Sequence, residues 1–315
     1  MIKATREGFG EALVELGEQN KNIVVLTADL SESTKVMDFS KKYPERFIEC
    51  GVAEQNMAGI AAGLAAEGKI PFITSYAVFS PGRNWDQIRV SICYSNLPVK
   101  IIGCHTGLSV GPDGATHQAL EDIALMRVLP NMTVIIPCDA IQAKQATKAI
   151  ADIAGPCYLR LTREATPTIN QSSNVKFQIG KADILENYGQ DVAIIACGLL
   201  VHQALIAAQE LNDEGIKTMV INNHTIKPLD NTTLLKAARD CGAVVTVEEH
   251  QIAGGMGSAV SELLSANYPV PMEFVCMPDS FGESGDPDQL LEKYGMSVKV
   301  IKEKVRGVLK RKKSS

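Results

Sequence analysis

Short apolar runs alternate with amphipathic stretches along almost the whole chain, and this alternation limits the possible folds more than any other feature. NIVVLTAD, PFITSY and VKIIGC are continuous apolar runs, whereas ATREGFGEALVELGEQN and AEQNMAGIAAGLAAEG carry apolar residues at helical spacing. Strands that are apolar on both faces are typical of parallel sheets covered by helices on both sides. The pattern therefore predicts an α/β fold with largely parallel sheets flanked by helices.

The alternation lapses once, around TPTINQSSNVKFQIGK, where polar and turn residues replace the apolar runs. Beyond it, DVAIIACG, IKTMVINN, GAVVTVEEH and PMEFVCMP are further strand candidates. We therefore predict a first α/β domain over residues 1–170, a linker over 171–180, a second α/β domain over 181–310 and a basic tail over 311–315 that frays.

The composition argues against several classes of protein. Lys and Arg number 31 against 36 Asp and Glu, a formal net charge of −5, so nucleic acid is not expected as the main partner. The N-terminal MIKATREGFG lacks the apolar core of a signal peptide, and no apolar run reaches the roughly 18 residues of a membrane helix. The eight cysteines stand singly in apolar surroundings, which is typical of reduced, buried thiols. We expect a cytoplasmic protein that makes no membrane contact and forms no metal site by itself.

A partial nucleotide-binding pattern is excluded by its context. GLAAEGK, residues 63–69, matches the first part of a phosphate loop, but Ile70 stands where that pattern requires Ser or Thr. A phosphate loop also leads from a strand into a helix, whereas this segment ends a helix and precedes PFITSY. Gly68 is better explained as a left-handed helix terminator. No G-x-G-x-x-G follows a strand either, so a dinucleotide fold has no support.

Two stretches carry polar groups in settings suited to chemistry. CGVAEQNMAGIAAGLAAEG, residues 50–68, places a single acid, Glu54, in the first turn of a helix of small apolar residues. Burial there favours the protonated acid, the helix dipole favours the carboxylate, and a plain helix-capping role is the structural alternative. GCHTGLSVGPDGATHQALED, residues 103–122, follows a strand and carries two of the five histidines. Loops at the carboxyl ends of parallel strands are the usual positions of sites in such folds.

Five motifs, in order, resemble the C-terminal half of transketolases. They are GVAEQNMAGIAAGLA, TSYAVFSPGRNWDQIR, GPDGATHQALEDIALMRVLPNMTVIIPCDA, YLRLTRE and, in the second predicted domain, VTVEEHQIAGGMGSAV. The resemblance extends from about residue 4 to residue 308. It implies a pyrimidine-binding domain followed by a transketolase C-terminal domain, and hence a thiamine-diphosphate-dependent transfer of a two-carbon ketol unit between sugar phosphates.

Full-length transketolases begin with a further domain that holds the diphosphate and metal through a G-D-G motif followed by an asparagine. This sequence contains no such motif. The resemblance therefore implies a partner, the separate N-terminal subunit of a split transketolase, which would hold Mg²⁺ or Ca²⁺ together with the diphosphate. It also implies self-association, in an α2β2 assembly.

The resemblance assigns cofactor contacts to the first two motifs. The acid at the position of Glu54 hydrogen-bonds the ring nitrogen of the aminopyrimidine and favours its imino tautomer, so that the cofactor can be activated. Tyr76 and Phe79 match the aromatic wall around that ring, and Asp29 matches a position near the cofactor and the subunit contact. The third aromatic of the family's wall falls near Gly82 here, which leaves that part of the wall open.

A second set of residues would bind the sugar. The resemblance places a sugar hydroxyl at Asp113, the reacting carbonyl or hydroxyl end at His117, and the phosphate at His105. A guanidinium fork suits a phosphate because it donates two hydrogen bonds at once. The positions that match the family's phosphate-binding residues at the mouth of the site are Arg6, Ser33 and Arg163.

Three alternatives remain open. Deoxyxylulose-phosphate synthases share the G-x-A-E-Q and D-G-x-T-H-Q patterns but typically show Asp-Arg-Ala-Gly where this chain has CHTG at 104–107. The β subunits of 2-oxo acid dehydrogenases share G-x-A-E but lack the second pattern. A non-catalytic regulatory paralogue would keep the interface without turnover. In the second domain, Glu248, Glu249 and His250 are expected to line a subunit interface or to serve packing and helix capping.

Overall fold

The computed structural model describes residues 2–169 and 177–312, and strands and helices alternate along them. The strands are β1 Ile2–Ala4, β2 Ile23–Thr27, β3 Phe47–Glu49, β4 Ile70–Tyr76, β5 Lys100–Cys104, β6 Thr133–Ile135, β7 Cys157–Arg160, β8 Ala165–Pro167, β9 Asp183–Asn187, β10 Val192–Ala196, β11 Thr218–Asn222, β12 Thr225–Lys227, β13 Val244–Gln251 and β14 Met272–Met277.

The α-helices lie between these strands. They are α1 Thr5–Gln19, α2 Met37–Lys42, α3 Glu54–Ala66, α4 Trp85–Gln87, α5 Asp122–Arg127, α6 Ala140–Ala151, α7 Leu200–Asp213, α8 Asn231–Cys241, α9 Met256–Asn267, α10 Pro287–Lys293 and α11 Val298–Lys312. Pro44–Arg46 and Leu108–Asp113 form 3₁₀ turns, and Ile88–Tyr94 is a π-helical continuation of α4 where the sequence predicts an ordinary helix. Gly68 ends the α3 region with φ +82°, as predicted for a left-handed terminator.

The larger sheet has seven strands in the order β12-β6-β7-β5-β4-β2-β3. Six of them run parallel, and β12 is an antiparallel edge strand. The central strands β2, β5 and β7 are buried along their whole length, which explains their continuous apolar runs. The predicted α/β class with largely parallel sheets is confirmed.

The smaller sheet has five strands in the order β14-β13-β10-β11-β9, of which only the edge strand β9 is antiparallel. Between β11 and β13 of the smaller sheet, the chain contributes the short strand β12 to the larger sheet, where it pairs with β6. The predicted linker at 171–180 stays a prediction, since residues 170–176 lie outside the described part of the chain. Residues 311 and 312 of the predicted basic tail belong to α11, and the Lys312 ammonium group donates to the carbonyls of Asp191 and Cys241. Residues 313–315 lie outside the described part of the chain, so the fraying tail stays a prediction.

Two general features of the described ranges bear on the chemistry. No helix within them is both long and apolar enough to cross a lipid bilayer. The eight cysteines are free thiols, and six of them are buried. Burial raises the pKa of the Cys104 thiol to about 12, although Arg6 acts in the opposite direction. Thiols in this state are inert, which fits a packing role.

Candidate active site

The carboxyl edge of the larger sheet gathers residues from separate motifs. Glu54 follows β3, Tyr76 ends β4, His105 follows β5 and Arg163 follows β7. Because the carboxyl ends of parallel strands meet at the same edge of the sheet, side chains far apart in sequence lie close together there. Arg6 reaches the same edge from the first turn of α1.

Glu54 is the first residue of α3 and is 1% exposed. Its Oε2 accepts a hydrogen bond from Arg83 Nη1 over 2.7 Å, and its backbone carbonyl accepts one from Asn84 Nδ2 over 3.1 Å. Among the described residues the carboxylate therefore serves no helix-capping bond, and its charge is balanced by a guanidinium that is 47% exposed. A buried charge with one solvated partner is suited to exchange that partner for a ligand.

An aromatic surface lies next to this acid. The rings of Tyr76 and Phe79 are stacked with centroids 6.1 Å apart, and the His117 ring meets both edge-on, at 6.0 Å and 5.5 Å. Arg83 also covers the Phe79 ring, with its guanidinium carbon 4.8 Å from the centroid. Tyr76, Phe79 and His117 are half-buried, so part of each ring is exposed and can contact a flat ligand. The structure thus brings together both predicted wall residues and a predicted substrate histidine.

His105 connects the aromatic surface to a cationic group. Its ring stacks on Tyr76 at 3.8 Å, and its Nε2 accepts a hydrogen bond from Arg6 Nη1 over 3.1 Å. The same Arg6 nitrogen donates to the Ser33 carbonyl oxygen over 2.8 Å. Burial, followed by Arg6, Arg163 and further positive neighbours, lowers the pKa of His105 to about 3. The ring is therefore neutral at physiological pH, with its proton on Nδ1.

Two donor atoms in this cluster are buried without a partner among the described residues. They are Nε of Arg6 and Nδ1 of His105. Buried donors are normally satisfied, so two unsatisfied N–H groups in one cluster mark a region suited to an acceptor. An anionic oxygen such as that of a phosphate fits this requirement.

The predicted residues Asp113 and Arg163 form a second contact near the mouth. Arg163 Nη1 donates to Asp113 Oδ1 over 3.3 Å and to the Val110 carbonyl over 2.9 Å. Asp29 lies at the same edge, after β2, with φ +59°. It is exposed, and its backbone N–H donates to Glu49 Oε1 over 2.8 Å.

Sequence reasoning missed Arg83 and Asn84. Both lie in the quoted stretch TSYAVFSPGRNWDQIR, directly after the position where the third aromatic is missing. The only available signal was a cation beside two aromatic residues in a loop that follows a strand. It also missed the role of the second domain, where Glu248 accepts the Met256 and Gly257 N–H groups at the start of α9. That contact is the helix capping expected as one alternative for Glu248, and Glu248, Glu249 and His250 are all buried in this chain.

The arrangement has the parts of half a cofactor site. A buried carboxyl group beside partly exposed aromatic rings fits a flat, protonatable heterocycle such as an aminopyrimidine, and the unsatisfied donors of Arg6 and His105 fit an anionic substrate. Fold and site together define a pyrimidine-binding domain of the thiamine-diphosphate type, joined to a second α/β domain.

The comparison with known families places the chain. Residues 2–168 match the model of the transketolase pyrimidine binding domain, and residues 180–301 match the transketolase C-terminal domain. The chain therefore belongs to the transketolase family, as its motifs indicate.

Its relatives include subunits of transketolases that consist of more than one chain. It is 43% identical over 307 residues to the 6-deoxy-6-sulfo-D-fructose transketolase subunit SqwH of Clostridium sp., covering 98% of this chain and 95% of that one. It is 40% identical over 293 residues to one of the subunits of the apulose-4-phosphate transketolase of Phocaeicola vulgatus, covering 93% of each. A solved structure named split gene transketolase, inactive beta4 tetramer, is 50% identical with a TM-score of 0.91, covering 98% of this chain and 99% of that one.

Proposed function

We propose that this chain is the C-terminal subunit of a split transketolase, which transfers a two-carbon ketol unit from a ketose phosphate to an aldose phosphate. A separate N-terminal subunit would hold the diphosphate and Mg²⁺ or Ca²⁺ and complete an α2β2 assembly in the cytoplasm. The observation that carries the proposal is the buried Glu54 carboxylate beside the partly exposed, stacked rings of Tyr76 and Phe79. The similarity to separately encoded transketolase subunits supports it.

The residues of this chain divide into two roles. Glu54 would hold a proton between its carboxyl oxygen and the pyrimidine ring nitrogen, with Tyr76 and Phe79 fixing the plane of the ring. When bound, thiamine diphosphate supplies a carbon nucleophile for the ketose carbonyl. His117, edge-on to both aromatic rings, would exchange a proton with the reacting oxygen, and Asp113 would accept a hydrogen bond from a sugar hydroxyl.

The anionic end of the sugar would lie against Arg6 and His105. Each has one unsatisfied buried donor that could bind an anionic oxygen, and Arg163 and Ser33 would stand at the rim. Such a site selects for an anion more strongly than for one sugar. This fits the variety of sugars named for the relatives, which include a sulfosugar and apulose 4-phosphate.

Reconstitution tests the proposal. The chain is mixed with the N-terminal transketolase subunit of the same genome, thiamine diphosphate, Mg²⁺, xylulose 5-phosphate and ribose 5-phosphate. We expect turnover in the mixture and none with either chain alone. Turnover by this chain alone would contradict the division of the site between subunits. Exchanging the ketose for 6-deoxy-6-sulfofructose, apulose 4-phosphate or pyruvate then distinguishes the sugar classes and the deoxyxylulose-phosphate alternative.

A matched pair of variants tests the acid. Glu54→Gln keeps the shape but removes the proton-sharing group, so we expect a loss in kcat of at least about 100-fold. Glu49→Gln changes a carboxylate five positions earlier that, among the described residues, accepts the backbone N–H groups of Asp29 and Gly51, and it should keep activity within about threefold. Near-normal turnover by Glu54→Gln would refute the assigned role. A wild-type complex that assembles with its partner subunit but shows no turnover would favour the regulatory alternative.

A further inference from the structure

The loop that carries Asp113 and His117 is closed at its base. The Gly107 N–H donates to the Ala119 carbonyl over 2.8 Å, so residues 107–119 leave the sheet and return at one point. Inside the loop, Leu108–Asp113 forms only short 3₁₀ turns. Turns of this length have poor internal hydrogen bonds. The position of the loop therefore depends on what lies beneath it.

Glu249 of β13, in the second domain, is the group beneath the loop. One of its carboxyl oxygens accepts the Ser109 N–H, and the other accepts the Ser109 hydroxyl over 3.2 Å. Gly107 packs so closely on the same carboxyl group that a Cβ at this position, where φ is +83°, would overlap it. Two hydrogen bonds and one backbone contact thus fix the start of the loop from a residue 140 positions later in the chain.

Ionisable groups face Glu249 from every element packed around it. Arg160 Nη2 donates to the Glu249 backbone carbonyl over 2.9 Å. Burial is the largest influence and raises the pKa of Glu249 to about 7, although Arg160 and the Ser109 donors oppose it. The carboxyl group therefore changes its charge near neutral pH. The titratable and charged neighbours, from β7, α5, the end of β10 and β13 itself, are Arg160, Asp122, Cys197, Glu248 and His250.

We propose that Glu249 is a positioning residue of the sugar-phosphate pocket, which acts from the second domain by fixing the loop that presents Asp113 and His117 to the substrate. The inference deepens the proposed function and rests on it for the identity of the substrate. It makes the C-terminal domain a working part of the site.

The sign of the pH dependence follows from burial. Opening the loop hydrates the Glu249 carboxyl group, and hydration lowers its pKa below the value in the closed state. By linkage, the closed loop binds the proton more tightly than the open loop, so the extra stability of the closed loop is largest at acid pH, weakens as the pH rises towards about 7 and is lost above it. The variant Glu249→Gln has a neutral side chain of the same shape, so its loop would stay closed across this pH range.

The chain supplies a matched control in Glu248. This residue is also buried on β13 and its carboxyl group also accepts two hydrogen bonds, but from the N–H groups of Met256 and Gly257 at the start of α9 rather than from the loop. Glu248→Ala and Glu249→Ala therefore remove the same chemistry one residue apart. A purely structural role predicts the same result for both, whereas a positioning role separates them.

Hydrogen exchange of the isolated chain measures anchoring without any need for activity. For Glu249→Ala we expect amide exchange in residues 107–113 at least tenfold faster than in the wild type, and for Glu249→Gln exchange within about threefold. Glu248→Ala should leave residues 107–113 unchanged and speed exchange at the start of α9. Unchanged exchange in Glu249→Ala, or equal opening of the loop in both alanine variants, would overturn the proposal.

If Glu249→Ala does not fold, the pH dependence decides. Exchange in residues 107–113, measured relative to helix α7, should rise several-fold from pH 6 to pH 8 in the wild type and stay flat in Glu249→Gln. The same pH response in both proteins would overturn the proposal.

Kinetics of the reconstituted complex then connect the loop to the substrate. In Glu249→Ala the KM for xylulose 5-phosphate should rise at least tenfold while kcat changes less, and Glu249→Gln should restore it. A KM within twofold of the wild type despite a loosened loop would also count against the proposal. Normal anchoring in a complex that shows no turnover would instead contradict the proposed function alone.

Discussion

Removing Asp122 should destabilise the chain more than any exposed ion pair can. The side chains of Asp122 and Arg160 are 2% and 3% exposed. Asp122 accepts the Tyr158 hydroxyl over 2.6 Å and two Arg160 nitrogens over 2.8 Å and 3.1 Å. Although burial acts to raise it, the Arg160 guanidinium holds the pKa of Asp122 below its usual range. The carboxylate is therefore charged and fully engaged in the folded state.

Asp122→Ala leaves the Arg160 guanidinium buried without its counter-charge, a change that costs about 3–5 kcal/mol. For domains of this size, each kcal/mol corresponds to a fall in Tm of roughly 2–4 °C, so we expect a fall of at least about 6 °C. Urea unfolding and thermal melting followed by circular dichroism measure both quantities.

The control is Glu18→Ala, which breaks a 3.2 Å ion pair with Lys42 whose side chains are 72% and 46% exposed. It should cost less than about 1 kcal/mol. In the double variant Asp122→Ala with Arg160→Met, the stranded charge is gone, so part of the stability should return. A loss below about 1 kcal/mol in Asp122→Ala, or a double variant less stable than the single one, would refute the reasoning.

Three further predictions concern single groups. Burial raises the pKa of Glu249 from 4.5 to about 7, so the stabilisation by its bound proton is complete below about pH 4.5 and disappears as the pH rises to 7. In urea unfolding, the wild type should therefore lose up to about 3 kcal/mol of unfolding free energy across this pH range relative to Glu249→Gln. Gly103→Ala forces a Cβ onto the Tyr158 ring and hydroxyl and should lower the unfolding free energy by about 1–3 kcal/mol, whereas Gly307→Ala in the open part of α11 should raise it by about 0.5–1 kcal/mol. The His105 ring should not titrate between pH 5 and 8 in NMR spectra, because its pKa lies at about 3; a midpoint near 6.5 would contradict its burial and its contact with Arg6.

The sequence predicts the layers of this fold better than its edges. Continuous apolar runs identify β2, β4, β5 and β10, since each is covered on both faces. The three-residue strand β12 is too short to show any periodicity, and its pairing with β6 connects positions about ninety residues apart. Only the folded chain shows that a segment from beyond the predicted linker completes the larger sheet.

The sequence likewise predicts only some of the residues that meet at the candidate site. Tyr76 and His105 stand at strand ends, so topology alone predicts that they lie close together. Arg83 reads in sequence as an ordinary exposed cation, because nothing local connects it to a carboxylate 29 positions earlier. Glu249 reads as a packing residue for the same reason. Contacts between elements depend on how the two sheets are placed, and periodicity within one element carries no information about that.

The unequal burial of Glu54 and Arg83 indicates which of the two can move. Glu54 is fixed, because it is buried and its backbone carbonyl accepts the Asn84 side chain. Arg83 is nearly half exposed and rests on the Phe79 ring, so its guanidinium can turn into solvent at little cost in hydration. In the proposed reaction, the aromatic face and the carboxylate that Arg83 covers are the surfaces that a pyrimidine ring requires. Displacement of one exposed arginine would then be the local rearrangement by which this chain changes from a charge-balanced subunit to half of a catalytic site.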